Sequence, residues 1–256
     1  MTDEFIVVIP ARYASSRLPG KPLADIAGRS MIEHVWMRAT ESNASRVIIA
    51  TDSEQIERVA CGFGAEVMLT KSDHPNGTAR LAEVAARLQL PADAQVVNVQ
   101  GDEPLLPPAL INLVASRLSA DKQASIATLA ETIDDFDTMM RSSVVKVVRD
   151  VGGRALYFSR APIPWDRDRF ATGRPTAGLG EGWLRHIGIY AYRAGFLAEY
   201  VKWTSAPIEE IEQLEQLRAM YYGHRIQVAI TPLDYPAGVD TPEDLERIRI
   251  LMQDKQ

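Results

Sequence analysis

Four short apolar runs, at 5–9, 47–50, 66–69 and 95–99, are separated by segments with helical spacing. This alternation constrains the fold more than any other feature. A continuous apolar run reads as a strand buried on both faces. Strand–helix–strand repeats need crossovers, which are right-handed and build a parallel sheet. The intervening helices declare their inner faces. Met31, Ile32, Val35, Trp36 and Ala39 share one face. Ile56, Val59, Ala60 and Phe63 share another, with Ser53 as its cap. A third helix is expected over 78–90, capped by Thr78. With 256 residues and 46% hydrophobic content, the chain suffices for one α/β domain over 1–256.

After residue 130 the rhythm changes. A helix at 108–118 and a strand at 125–130 still fit the alternation. Residues 144–149, the Gly152–Gly153 turn and 155–159 then read as a β-hairpin. An Arg-, Gly- and Pro-rich connection over 161–182 leads to a strand at 186–192. This section is too strand-rich for a plain doubly wound domain. It reads as an inserted lobe at about 150–192. Helices near 194–203 and 207–222 follow, then a strand at 226–230, a turn through 234–238 and a final helix from Thr241.

The chemistry-bearing residues gather at expected strand ends. The first strand runs into PARYASSRLPGKPL, where Arg12, Arg17 and Lys21 lie within ten residues. Prolines stiffen this loop and Gly20 lets it turn. Cations and free backbone N–H groups at the C-terminal end of a buried strand suit phosphate. A solvated basic turn fits the residues equally well. Gln100–Gly101–Asp102–Glu103–Pro104 leaves a strand at the same edge. A carboxylate beside phosphate-binding cations serves as a Mg²⁺ ligand, although Asp102 also suits a turn cap. Asp240 opens the final helix, where capping alone accounts for it. Thr78 likewise suits a cap, and Arg80 either a phosphate contact or a surface charge. A strand period of two puts His186, Gly188 and Tyr190 on one face, offering a cation, a gap and a hydroxyl to a polar sugar. A lone histidine is more often structural. Arg160 carries a fork suited to a carboxylate. Ile208, Ile211, Leu214 and Leu217 make an apolar stripe, and the glutamates around it suit a solvated face.

Several classes are disfavoured. A net charge of −6 and a pI near 5.3 argue against a nucleic-acid partner. Neither GxxxxGK[ST] nor GxGxxG occurs, and no Ser–His–Asp or Cys–His arrangement is signalled. Cys61, the single cysteine, reads as a buried inert thiol. No apolar run approaches 18 residues and no signal-peptide pattern opens the chain, so a soluble cytoplasmic protein without membrane insertion is expected.

Eight stretches occur in order: IPARYASSRLPGKPL, ATDS, NGTARLAEV, VNVQGDEP, ALYFSRAPIPWDRDR, LRHIGIYAYR, LEQLR and GVDTPEDLERIR. Together they resemble the sugar-acid cytidylyltransferases, most of all the 3-deoxy-manno-octulosonate (Kdo) branch. The 168–182 connection departs from the family pattern. The resemblance implies a Rossmann-like nucleotidyltransferase fold with a mostly parallel sheet and a lobe that mediates homodimerisation. It implies the reaction CTP + Kdo → CMP-Kdo + pyrophosphate, with Mg²⁺ held by Asp102 and Asp240 and assisted by Arg12 and Lys21. The nucleotide pocket it implies comprises Ala11, Arg12, Ser15, Lys21, Asn76, Gly77, Thr78, Arg80 and Gln100. The sugar acid falls to Gln100, Arg160, His186, Tyr190, Glu215 and Gln216. Three rivals stand beside this reading. One is a cytidylyltransferase for another acid sugar, such as 8-amino-Kdo or sialic acid. Another is a non-catalytic CTP-binding module, against which the paired carboxylates count. The third is a nicotinamide-dependent oxidoreductase, against which the missing GxGxxG counts.

Overall fold

The computed structural model describes residues 4–14, 18–171, 173, 178–231, 233 and 238–253. Strand β1 (Phe5–Ala11) is buried nearly throughout. A small antiparallel pair, β2 (Asp25–Ile26) and β3 (Arg29–Ser30), leads into α1 (Met31–Thr40). The expected alternation follows: β4 (Arg46–Thr51), α2 (Glu54–Gly62), β5 (Glu66–Leu69), α3 (Gly77–Arg87), β6 (Gln95–Asn98), α4 (Pro108–Ala120) and β7 (Ile126–Thr132). Helix α5 (Phe136–Met140) precedes the hairpin of β8 (Lys146–Arg149) and β9 (Ala155–Ser159). Then come β10 (Leu184–Arg193), α6 (Ala194–Tyr200), α7 (Pro207–Glu212), α8 (Gln216–Tyr221), β11 (Ile226–Ile230) and α9 (Pro242–Gln253). No described helix is long and apolar enough to cross a membrane.

The sheet runs β11-β7-β10-β6-β1-β4-β5. All neighbours are parallel except β10, which is antiparallel to both β7 and β6. The mostly parallel α/β sheet expected from the alternation is therefore present. Strand alternation splits its side chains between two cores. Phe5, Val7 and Ile9 meet Ile32 and Val35 of α1, Ile56 of α2 and Leu110 of α4. Ile6 and Val8 meet Leu81 and Val84 of α3, Phe196 of α6 and Leu217 of α8. Burying a side chain of this size contributes about 1.5–3 kcal/mol, so the two faces fix the register of every central strand.

Strand β10 falls inside the stretch expected as a lobe, yet it is a central strand of the main sheet. The β8–β9 hairpin is attached to it through the Arg185–Lys146 pairing. The connection before β10 is anchored by Phe170, Leu179 and Trp183, which pack with Ile133 and Met139. Residues 172 and 174–177 of that connection, and 234–237 of the expected turn, lie outside the described residues.

Local expectations fail where a helix was read too long or one turn out of phase. Cys61 is exposed, and so is Val59 at 38%. Only Ile56 and Ala60, four residues apart, form the buried stripe of α2. The cap of α3 is Asn76, whose side-chain oxygen accepts from Ala79 N at 2.9 Å, so Thr78 lies within the first turn. The helix expected over 207–222 breaks at Gln213, a left-handed residue with φ 53. The period assumed for the apolar stripe is lost there, and Ile211 is 81% exposed.

Candidate active site

Four elements end around one cleft at the C-terminal edge of the parallel strands, where open α/β sheets bind ligands. The ends of β1 and β6 contribute Ala11–Arg12 and Gln100–Asp102. The start of α3 contributes Gly77, and the approach to α9 contributes Asp240. With Pro10, Ala14, Lys21 and Pro22 they line a cavity of about 350 Å³. Lys21 opens a 3₁₀ turn behind Gly20, whose φ of 69 suits glycine. Its Nζ donates to Asp102 Oδ2 at 2.6 Å, to the Val239 carbonyl at 2.9 Å and to Asp240 Oδ1 at 3.4 Å. Two carboxylates 138 residues apart in sequence thus converge on one cation.

The capping account of Asp240 meets a direct answer. Thr241 Oγ1 accepts from Asp244 N at 3.2 Å, and Asp244 Oδ2 accepts from the backbone N–H groups of Thr241 and Asp240, each at 3.1 Å. Helix α9 is capped by that reciprocal pair, so the Asp240 carboxylate is turned to Lys21. Next to Asp102, the Glu103 carboxyl is pushed up to about 8, by desolvation first and by the Asp102 charge second. It is therefore neutral near pH 7 and adds no further charge beside Asp102.

Gly101 explains the tight turn after β6. A Cβ at this position would lie 2.8 Å from the Pro10 carbonyl oxygen, a backbone atom that cannot swing aside. Gly101→Ala is expected to push the Gln100–Asp102 turn away from β1. Its kcat/KM should fall by about 10², since small misplacements cost that much. An unchanged rate would show that the turn adapts.

A second cavity, about 260 Å³, adjoins the first. Gly77 and Gln100 line both. Its other walls include Asn98, Gly188, Tyr190, Tyr192, Tyr200, Glu215 and Gln216. Thr78 Oγ1 donates to Glu215 Oε2 at 3.1 Å. Glu215 keeps contact with solvent because the cavity is open. Protein nevertheless surrounds its carboxyl closely enough that desolvation raises it above the usual range, against the hydrogen bond from Thr78. Asn98 Oδ1 and Gln216 Nε2 are buried without a hydrogen-bond partner in the protein. Buried polar groups are normally paired, so this wall has one acceptor and one donor to offer. A larger cavity of about 670 Å³ lies on the other side of α3, with Trp203 and Lys71 in its wall. It contains neither Arg12 and Lys21 nor Asp102 and Asp240.

The expected site residues are thus placed as follows. Ala11, Arg12, Lys21, Gly77, Gln100, Asp102 and Asp240 share the first cavity. Thr78, Tyr190, Glu215 and Gln216 share the second. Arg12 also donates to the His74 carbonyl at 2.8 Å. Asn76 caps α3 and donates to the Tyr200 hydroxyl at 3.1 Å. Ser15, with its neighbour Arg17, lies outside the described residues.

Three residues are placed differently. Arg80 is fully buried on the inner face of α3, pairing with Asp52 Oδ2 at 2.8 Å and Thr70 Oγ1 at 2.5 Å. It ties the helix to the end of β4 and touches neither cavity. Arg160 lines neither cavity, and its guanidinium donates to the carbonyls of Ser142, Glu212 and Gln213. His186 packs edge-on against Phe158 at 5.1 Å. The residue retains some exposure, but its ring is walled by protein, and desolvation lowers its pKa to about 3. It is neutral, so the expected cation on that face is absent. The Thr128 hydroxyl is 2.7 Å from the Ile189 carbonyl and 3.0 Å from His186 Nε2. A hydroxyl has one proton, so donating it to the carbonyl leaves Thr128 to accept from Nε2–H.

Sequence reasoning missed Asn98, Tyr192 and Tyr200. The period of two that placed Tyr190 on its face also puts Tyr192 there. Asn98, a polar residue closing the apolar run QVVN, was a signal of the same kind.

Comparison with known proteins agrees with this geometry. A family model described as "Cytidylyltransferase" matches residues 6–226. The chain is 64% identical over 250 residues to the 3-deoxy-manno-octulosonate cytidylyltransferase of Chromohalobacter salexigens, covering 98% of this chain and 97% of that protein. It is 57% identical over 253 residues to the protein of that name from Pseudomonas fluorescens, covering 99% and 100%. Among solved structures, a CMP:2-keto-3-deoxy-manno-octonic acid synthetase complexed with CTP superposes with a TM-score of 0.89 at 40% identity, covering 99% of this chain and 100% of that one. A cytidylyltransferase from Leptospira borgpetersenii, 16% identical with a TM-score of 0.63 over 99% and 88%, shares the fold. The two carboxylates that meet at Lys21 therefore stand in a known framework, and the chain belongs to the cytidylyltransferase family, in its 3-deoxy-manno-octulosonate branch.

Proposed function

We propose that this protein transfers CMP from CTP to the anomeric hydroxyl of Kdo, releasing pyrophosphate and giving CMP-Kdo, the activated sugar for the lipopolysaccharide inner core. One observation carries the reading. A cationic, carboxylate-bearing cavity and a polar, tyrosine-rich cavity meet at Gly77 and Gln100. The first suits a triphosphate and the second the hydroxyl groups of a sugar. The α-phosphorus belongs at their junction, where a sugar hydroxyl can reach it.

Attack brings oxygen-rich groups together, so the barrier is largely electrostatic and positional. Arg12 and Lys21 face the phosphates and offset the charge that grows on the leaving pyrophosphate. Asp102 and Asp240 already direct carboxylate oxygens at one cation position, the Lys21 ammonium. Such a donor pair fits Mg²⁺, which takes one or two carboxylates together with phosphate oxygens. Bound there, the metal would neutralise phosphate charge and lower the pKa of the attacking hydroxyl. On the sugar side, Tyr190, Glu215 and Gln216 supply hydroxyl, carboxylate and amide groups to a polyol. His186, being neutral, orders Tyr190, whose ring centre lies 5.3 Å from its own. Consumption of CTP supports a cytoplasmic location.

A pyrophosphate-release assay crossing each nucleoside triphosphate with Kdo, 8-amino-Kdo and sialic acid tests the assignment. Turnover confined to CTP with Kdo is expected. Turnover with sialic acid in preference to Kdo would reassign the branch, and CTP binding with no turnover on any acid would leave a binding module.

The hairpin supports a second element of the reading, pairing of two subunits. Val151 at its tip is fully exposed, Leu156 on β9 is 57% exposed, and Ile230 of β11 is 40% exposed. Exposed apolar side chains favour a partner where they join into one contiguous patch. Light scattering at micromolar concentration is expected to give twice 28.3 kDa. A clean monomer would remove the dimer from the account.

A further inference from the structure

The break between α7 and α8 borders the second cavity, and its support comes from a different part of the chain. Gln213 closes α7 at φ 53, ψ 50. A residue with a side chain adopts this conformation uncommonly, and here bonds from a distant part of the chain hold the turn. Glu212 Oε1 accepts from the Ser159 hydroxyl at 2.5 Å, and Oε2 accepts from Arg160 N at 2.8 Å. In return Arg160 Nε donates to the Glu212 carbonyl at 2.7 Å, and another guanidinium nitrogen donates to the Gln213 carbonyl at 3.3 Å. The far side is fixed as well. Lys146, fully buried, donates to the carbonyls of Arg160, Val144 and Arg141 at 2.6, 2.5 and 2.9 Å. The end of the hairpin thus holds the break through Ser159 and Arg160, and Lys146 backs Arg160 from behind. The residues that follow it, Leu214, Glu215 and Gln216, line the cavity together with Gln213 itself.

We propose that Glu212 is a positioning residue for the acid sugar: with Ser159 and Arg160 it locks the left-handed turn at Gln213, and so fixes where Glu215 and Gln216 meet the sugar. The inference rests on reading the 260 Å³ cavity as the sugar seat. A carboxylate serves best, because it accepts charge-assisted bonds from both groups. A glutamine of the same shape can accept from Arg160 N and donate to the Ser159 oxygen, which has a lone pair free, but both bonds lose their charge.

The test is steady-state kinetics on the full-length protein, with wild type, Glu212→Gln, Ser159→Ala and Gln213→Val measured side by side. Glu212→Gln should raise the KM for the sugar acid about tenfold, as expected for loss of a hydrogen bond to a charged group. The KM for CTP should stay within about twofold, because the nucleotide cavity shares no residue with the lock. Gln213→Val leaves the lock intact but places a β-branched residue at positive φ, and it should give the same split. In a Glu215→Gln background, Glu212→Gln should add little, since both act through one contact. A plain folding defect would instead lower the melting temperature and the active fraction while leaving both KM values unchanged. If Glu212→Gln fails to fold, Ser159→Ala removes one bond of the lock and must show the same split at smaller size. Equal rises in both KM values, or none, would overturn the proposal, as would full additivity with Glu215→Gln. The wild-type control separates the two levels. A wild type that saturates with a sugar acid while the variants match it defeats the lock alone. A wild type that uses no sugar acid defeats the cavity assignment and the lock with it.

Discussion

Lys21→Ala lowers kcat/KM with CTP and Kdo by about 10²–10³, the range for losing one preorganised charge contact. The ammonium is held at three points, by Asp102, Asp240 and the Val239 carbonyl. It is therefore already placed at the edge of the cavity, and a metal taking up the two carboxylates would move it only towards the departing phosphates. The same anchoring argues against Lys21→Arg as a substitute, because a planar fork cannot sit where a compact point charge fits between two carboxylates. Single-turnover pyrophosphate release separates the chemical step from binding. Near-wild-type release would remove Lys21 from the site.

Asp102→Asn abolishes turnover and leaves the fold in place. The substitution keeps shape and removes charge. The turn that carries the residue is secured independently, by Val239 N donating to the Asp102 carbonyl at 2.8 Å and by Gly101 against Pro10. Asp240→Asn should do the same, because Thr241 and Asp244 cap α9 without its carboxylate. Melting curves with and without Mg²⁺, run beside the activity assay, check both halves of the claim. A metal-dependent rise in melting temperature should appear in the wild type and vanish in each variant. Normal activity at limiting Mg²⁺ would reduce the residue concerned to a structural role.

The parallel framework was legible because it depends on local pattern. Apolar runs bounded by turn residues gave β1, β4, β5 and β6 within a residue or two, and β11 at its observed ends. The shared edge that brings Arg12, Lys21, Gln100 and Asp102 to one cavity was legible for the same reason, since loops that leave strand ends must share one edge. What failed depends on partners distant in sequence. Arg80 looks identical on paper whether it faces phosphate or Asp52, and only the packing of α3 on β4 decides. Arg160 and His186 carry groups able to bind a sugar, but neighbouring carbonyls and aromatic rings reach them first. The break at Gln213 leaves no mark in composition, because a glutamine is held left-handed by Ser159 and Arg160, more than fifty residues earlier. The central position of β10 was hidden by its antiparallel direction, which no alternation of strand and helix announces.

The order of strands has a consequence for how the chain comes to be active. Strand β6 lies between β1 and β10 in the sheet, but β10 begins only at Leu184. While the chain is being made, an apolar strand with one open edge waits for some ninety further residues, a template for mispairing with another nascent copy. The final closure is later still, since Lys21 meets Asp240 across a separation of 219 residues. Contacts of such span are slow to form, because loop closure must precede any gain from them. The cavity around Lys21 is thus closed only once the segment leading into α9 has docked.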